Sequence, residues 1–184
     1  MIDPVLRPLP ARDRPAVAWK NGGGVTREIA AAPHGADPAG FRWRVSLAEV
    51  AADGPFSAFP GVDRTLTMVE GDGMELTVGA VPTLVDTPYR PRDFPGDVPT
   101  DCRLLGGPVV NLNVMWRRSA LPVPPSVAVV HGRLILAAGT SLVVALTEEG
   151  ARVAGRALGR HDAVLVEGAG ELAAAGAVAV VSGI

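Results

Sequence analysis

The sequence predicts an all-β chain of two β-barrel modules. Short apolar runs with period-two alternation recur along the 184 residues, and the 22 glycines and 17 prolines fall between them as turns. No helical periodicity persists long enough to make a convincing long helix. The segment "SALPVPPS", Ser119 to Ser126, places three prolines where no central strand can run, and it is the best internal boundary. The expected modules are therefore residues 1–118 and 119–184, with edge strands open to exchange between the halves.

In "WKNGGGVTREI", Lys20 precedes the three glycines, whereas a phosphate loop needs its lysine after them. Gly22, Gly23 and Gly24 lead into a β-branched strand, so they read as a bulge, a positive-φ turn or a place of close approach. "FRWRVSLAEV" alternates Phe41, Trp43, Val45 and Leu47 against Arg42, Arg44, Ser46 and Ala48. That is the pattern of a half-buried strand with one polar face. Arg64 to Val69, "EGDG" and Met74 to Val78 read as a hairpin, and Val109 to Trp116 as a further strand. Beyond Pro125 the strand candidates are Val127–Val130, Arg133–Leu136, Ser141–Leu146, Arg152–Ala157, Ala163–Val166 and Ala177–Val181. Glu171 to Ala175 is Ala-rich enough for one turn of helix.

Hydrophobic residues make up 48% of the chain and the mean hydropathy is +0.27, enough for a substantial core. A net charge of −2 gives no general attraction to nucleic acid or anionic lipid, and an aromatic content of 4% offers few stacking platforms. Trp19, Trp43 and Trp116 head the short list of rings. Cys102 is the single cysteine, so an intramolecular disulfide framework and a four-thiolate zinc site are both excluded. The N-terminus carries prolines and charges where a signal peptide needs an apolar run, and Leu172 to Ile184 is too short to span a bilayer. The expectation is a cytoplasmic protein with no nucleic-acid or membrane partner, its oligomeric state left open.

Candidate chemistry is sparse. His34, His131 and His161 are far apart in sequence with no His-x-His pair, so no metal ligand set is proposed. No nucleophile elbow occurs, Cys102 has no neighbouring histidine and reads as a buried thiol, and no catalytic residue is assigned. Arg64 reads equally as a solvated residue paired with Asp63 or as a buried guanidinium that must meet a ligand carboxylate. Arg42 and Arg44 share a strand face with Ser46, which alone reads as solvated sheet. Asn111, Asn113 and Met115 share another face, where two asparagines at i and i+2 need a polar reward. Lys20, Asn21 and Thr26 could bring donors to an anion that the glycine backbone also approaches; alternatively Asn21 caps its own turn and Lys20 lies in water.

In chain order, "WKNGGGVTREI", "FRWRVSLAEV", "DGPFSAFPGVDRTL", "DFPGD" and "CRLLGGPVVNLNVMWRR" resemble the HutD/Ves family from about Trp19 to Arg118. The resemblance implies a bicupin, two barrels of the double-stranded β-helix type, without the cupin metal histidines and without a cofactor. It implies a non-enzymatic modulator of histidine utilisation that binds a small carboxylate such as urocanate or a formyl- or formimino-glutamate. The family's pocket arginine falls on Arg64 and its glycine block on Trp19 to Gly24. Where the family usually shows Asp-Phe-Asn-Leu-Met, this chain has Asn111 to Met115, a neutral amide in place of an acid. Two alternatives stand beside this reading. One is a metal-free cupin isomerase or lyase drawing on Glu28 or Glu49; the other is a protein-interaction module with a vestigial pocket.

Overall fold

Alternating apolar residues and closely spaced turns give antiparallel strands throughout the computed structural model, which describes residues 3–184. The first strand is β1 (Val5–Leu9), followed by a 3-10 turn at Ala11–Asp13. Next come β2 (Val17–Ala18), β3 (Gly24–Ala32), β4 (Trp43–Val50), β5 (Gly54–Phe56) and β6 (Val62–Glu70). They are followed by β7 (Met74–Val78), β8 (Val81–Val85), β9 (Arg92–Pro95), β10 (Thr100–Leu104) and β11 (Val109–Arg117). The remainder is β12 (Ser126–Leu136), β13 (Thr140–Ala145), β14 (Ala151–Val153), β15 (Arg156–Leu158), β16 (Ala163–Glu167) and β17 (Gly170–Ser182). No helix among the described residues is long and apolar enough to cross a membrane.

Pro15–Pro122 is one compact unit. A six-stranded sheet in the order β2-β3-β4-β11-β6-β9 faces a four-stranded sheet in the order β5-β10-β7-β8. Val50, Leu66, Met68, Phe94 and Val109 from the first sheet pack on Met74, Leu76, Val85 and Cys102 from the second. Burying each large side chain in such a layer contributes about 1.5–3 kcal/mol.

The other unit joins the chain up to Arg14 with Val123–Ile184. Its sheet runs β1-β16-β13-β17-β14-β15, with β12 also paired to β17. The division falls inside the proline-rich segment. The N-terminal residues, expected with the first module, lie in the second: Val5 to Leu9 pair with Glu167 to Ala163, and the Ala11 amide donates to Asp162 Oδ1 at 2.8 Å.

Four local expectations are corrected. Residues 64–69 and 74–78 do not form a hairpin, because β6 pairs with β11 and β9 while β7 pairs with β10 and β8. The "EGDG" turn instead carries the chain from one sheet to the other, and Gly71 and Gly73 have φ of 105° and 115° beside the backbone of Pro108 and Val85. Glu171 to Ala175 is strand rather than helix, because pairing with β12 and β14 overrides alanine's helical preference. Residues 127–130 and 133–136 are one strand, bent where the register shifts between Val130 and Gly132, and residues 152–157 are not one strand but the hairpin of β14 and β15, which turns at Ala154 and Gly155 with positive φ.

Candidate functional site

The site follows from a change of polarity along the inward face of three neighbouring strands. On β4 that face reads Arg44, Ser46, Ala48, Val50; on β11, running the other way, it reads Met115, Asn113, Asn111, Val109. On β6 it reads Arg64, Leu66, Met68. Register places Asn113 opposite Ser46 on one side and Leu66 on the other, and Met115 opposite Arg44 and Arg64. At one end the aliphatic residues close the layer between the sheets. At the other end the polar residues line a cavity of about 560 Å³.

All nine residues singled out from sequence line this cavity: Lys20, Asn21, Thr26, Arg44, Ser46, Arg64, Asn111, Asn113 and Met115. Arg42 does not belong with them, because β4 begins at Trp43 and Arg42 is exposed before it. The face of Arg44 and Ser46 is not the solvated sheet face that its pattern suggests, since Ser46 is buried and Arg44 half-buried.

The glycine block shapes the wall without lining it. Gly22 has φ of 72°, its amide donates to the Trp19 carbonyl at 3.0 Å, and the Gly23 amide donates to Asn21 Oδ1 at 3.0 Å. Asn21 thus caps the turn, and the amides of Gly22 and Gly23 are spent within it. A Cβ at Gly24 would stand 2.4 Å from the Glu49 carbonyl oxygen and 3.1 Å from the Trp19 ring. Only glycine lets the indole and the neighbouring strand approach together. Trp19 Nε1 donates to Thr26 Oγ1 at 2.8 Å and the ring meets Phe56 edge-on at 6.1 Å, so the indole is held as a fixed wall of the cavity.

Arg64 is the dominant charge. It is 7% exposed, and among the described residues no carboxylate lies within ion-pair reach of it. Its Nε donates to Asn113 Oδ1 at 3.3 Å. The guanidinium carbon sits 5.2, 5.9 and 5.1 Å from the ring centres of Phe56, Phe59 and Phe94. These rings stabilise the cation partly, while burial without a counter-charge lowers its pKa to about 10. Asp63, the partner offered by the solvated reading, bonds Arg118 Nη1 at 2.5 Å, and Arg118 also binds Asp97.

The three phenylalanines around Arg64 were not singled out from sequence. Their signal was position: Phe56 and Phe59 stand in "DGPFSAFPGVDRTL", just before Arg64, and Phe94 in "DFPGD". Register confirms the adjacency, with Phe94 directly opposite Arg64.

The remaining candidates lie elsewhere. Glu28 accepts from Arg44 Nε at 2.7 Å, and Glu49 lies 3.9 Å from Arg27; neither lines the cavity. The cavity's lining contains no carboxylate, imidazole or thiol. Cys102 is buried in the apolar layer, 3.5 Å from Met74 Sδ, and burial pushes its pKa up to about 11. His34 lies in the loop after β3, His131 on β12 and His161 just before β16. Among the described residues no group of three or more His, Cys, Asp and Glu side chains is arranged to hold a metal ion.

Comparison with known proteins sets this site in a family. A family model described as HutD matches residues 11–181. An uncharacterized 21.2 kDa protein from the hutC 3′ region of Pseudomonas putida is 36% identical over 172 residues, 91% of this chain and 90% of that protein. Protein Ves of Citrobacter koseri is 38% identical over 108 residues, 58% of this chain and 56% of its own. The chain belongs to the HutD/Ves family. The solved structure of HutD from Pseudomonas fluorescens SBW25, determined in a formate condition, superposes with a TM-score of 0.82 at 32% identity, covering 96% of this chain and 97% of that one. A cupin 2 conserved barrel domain protein from Leptotrichia buccalis, 13% identical with a TM-score of 0.57 over 90% of this chain and 91% of its own, shares the fold alone. The fold is thus all-β and cupin-like, and the family match extends well past Arg118.

Proposed function

We propose that this chain is a metal-free bicupin that binds a small carboxylate metabolite in the cavity of Pro15–Pro122 and thereby modulates histidine utilisation. The observation that carries the reading is Arg64, a buried guanidinium that faces a cavity without an acidic partner. A charge so placed is stabilised most by a bidentate carboxylate, whose second oxygen can also meet neighbouring amides. Lys20 and Arg44 add positive charge to the lining; Ser46, Thr26 and Asn113 add polar groups; Trp19, Phe56 and Phe59 add apolar walls. A ligand with a carboxylate head and a short planar or apolar body suits this combination, which favours the urocanate and formyl- or formimino-glutamate class. The hutC-region relative is consistent with that class.

Binding without turnover is favoured over an isomerase or lyase, because no carboxylate, imidazole or thiol lines the cavity and Lys20 alone of its lining is a side chain of general-base type. The test is a thermal-shift panel on dialysed protein with histidine, urocanate, formiminoglutamate, formylglutamate and unrelated dicarboxylates. A ligand at about 100 times its Kd adds roughly 2.7 kcal/mol, several degrees for a domain of this size. The expected result is stabilisation by one histidine-pathway acid, absent in Arg64→Ala. Equal stabilisation of the wild type and the variant would overturn the assignment.

A further inference from the structure

Asn111 has more polar capacity than the protein uses. It is 2% exposed, it lines the same cavity, and its Nδ2 has no hydrogen-bond partner. Arg64 bonds Asn113 instead, which leaves the Asn111 Nδ2 without a partner among the described residues. Nothing therefore resists a half-turn of this amide about its last torsion, which exchanges the nitrogen for the oxygen at the cavity wall. A buried N–H group is left unpaired more rarely than a carbonyl oxygen, so the turned amide keeps its oxygen buried and presents its two N–H donors to the cavity, where a ligand that supplies an acceptor can meet them.

The spacing sets the kind of ligand. The Arg64 guanidinium sits at Asn113, and Asn111 lies two residues along the same strand face, about 7 Å away. Between the two the lining offers Ala48 and Ser46 across from β11, room for a short methylene chain.

We infer that Asn111 is a specificity-determining residue that selects, among small acids anchored by Arg64, those carrying a second hydrogen-bond acceptor a few carbons from the carboxylate. This inference rests on the carboxylate-binding reading above. The ligand class is a short oxo-acid, amido-acid or dicarboxylate rather than a simple monoacid or an amino-terminated acid.

Four probes of similar length separate the possibilities: levulinate with a neutral acceptor, valerate with none, glutarate with an anionic one and γ-aminobutyrate with a donor. Trp19 lines the cavity, so its fluorescence, or calorimetry, reports binding to the full chain. The wild type is expected to bind levulinate about tenfold more tightly than valerate, a comparison in which the net charge is unchanged. Asn111→Asp is expected to lose glutarate and levulinate by a similar factor and to gain γ-aminobutyrate. Asn111→Leu, which buries no charge, should hold valerate and erase the preference for levulinate, giving a second measure should the aspartate variant fold poorly. Equal affinity for levulinate and valerate in the wild type, both lost in Arg64→Ala, would overturn the role of Asn111 and leave the carboxylate site standing. Failure of all four acids to bind would overturn this inference, and the carboxylate site falls with it where the histidine-pathway acids fail as well.

Discussion

The two units are built from the same kind of antiparallel strand, yet they treat their inward faces in opposite ways. In the unit of β12–β17 and β1, the interior is Leu136, Val143, Ala145, Val153, Leu158, Val164, Val166, Leu172, Val178 and Val180, with further alanines between them. Of the eight buried polar residues described, seven lie in Pro15–Pro122 and only Ser141 in the other unit. The second unit does carry a cleft of about 500 Å³, but alanine and glycine line most of it and its charged residues, Arg133, Glu149 and Arg152, are exposed. A polar interior costs stability, and four of those seven, Ser46, Arg64, Asn111 and Asn113, line the cavity, so the first unit gathers its costliest buried polar groups at one end.

The sharpest way to break this contrast is to make the first interior resemble the second. Arg64→Met removes the buried cation at similar volume, and it should reduce carboxylate affinity by about 100-fold or more while leaving the melting temperature unchanged or raised. Calorimetric titration and a thermal melt on the same variant check both halves; a large drop in melting temperature would mean that Arg64 serves the fold. The converse substitution is Val143→Asn, which places an amide in the fully buried aliphatic interior. It should cost about 3 kcal/mol in urea unfolding, because no cavity or partner there receives the amide. A cost near zero would show that the second unit tolerates polarity as the first does.

A smaller effect concerns Cys102, on the apolar side of the first unit. Burial raises its folded pKa from 9.0 to about 11, so between these values the unfolded chain loses a proton that the folded chain keeps. Its contribution to stability is whole below pH 9 and is lost as pH rises through about 11. Wild type and Cys102→Ala should accordingly differ in stability by an amount that shrinks over that window, measured by denaturant unfolding at stepped pH. A constant difference would place the thiol in contact with solvent.

Much of the site could be read in one dimension, because period-two alternation assigns a face without knowledge of partners. Asn111, Asn113 and Met115 had to share one side of their strand, as had Arg44 and Ser46. Alternation does not say whether a polar face meets water or a cavity, so the pattern of Arg44 and Ser46 fits a solvated face as well as the cavity wall they form. Arg64 admits two readings for the same reason. Its solvated reading fails because Asp63 bonds Arg118 and three rings surround the guanidinium. The hairpin read across "EGDG" failed because turn chemistry specifies a reversal, while the choice of partner strand belongs to non-local pairing.

By itself the sequence determined the all-β class, the proline-marked division near residue 122, the face of each strand and membership of the HutD/Ves family. These depend on local properties: backbone restriction at Gly and Pro, two-residue side-chain alternation, and motifs that survive in order. The tertiary structure decided that β4, β11 and β6 lie side by side, which gathers residues from 44 to 115 around one cavity. It also decided that β1 joins β16, and that Glu28 reaches Arg44 where the register shifts between Glu28 and Ala30. Strand order and register are set by burial over the whole chain, and whether Arg64 is a surface charge or a buried one is settled by what surrounds it.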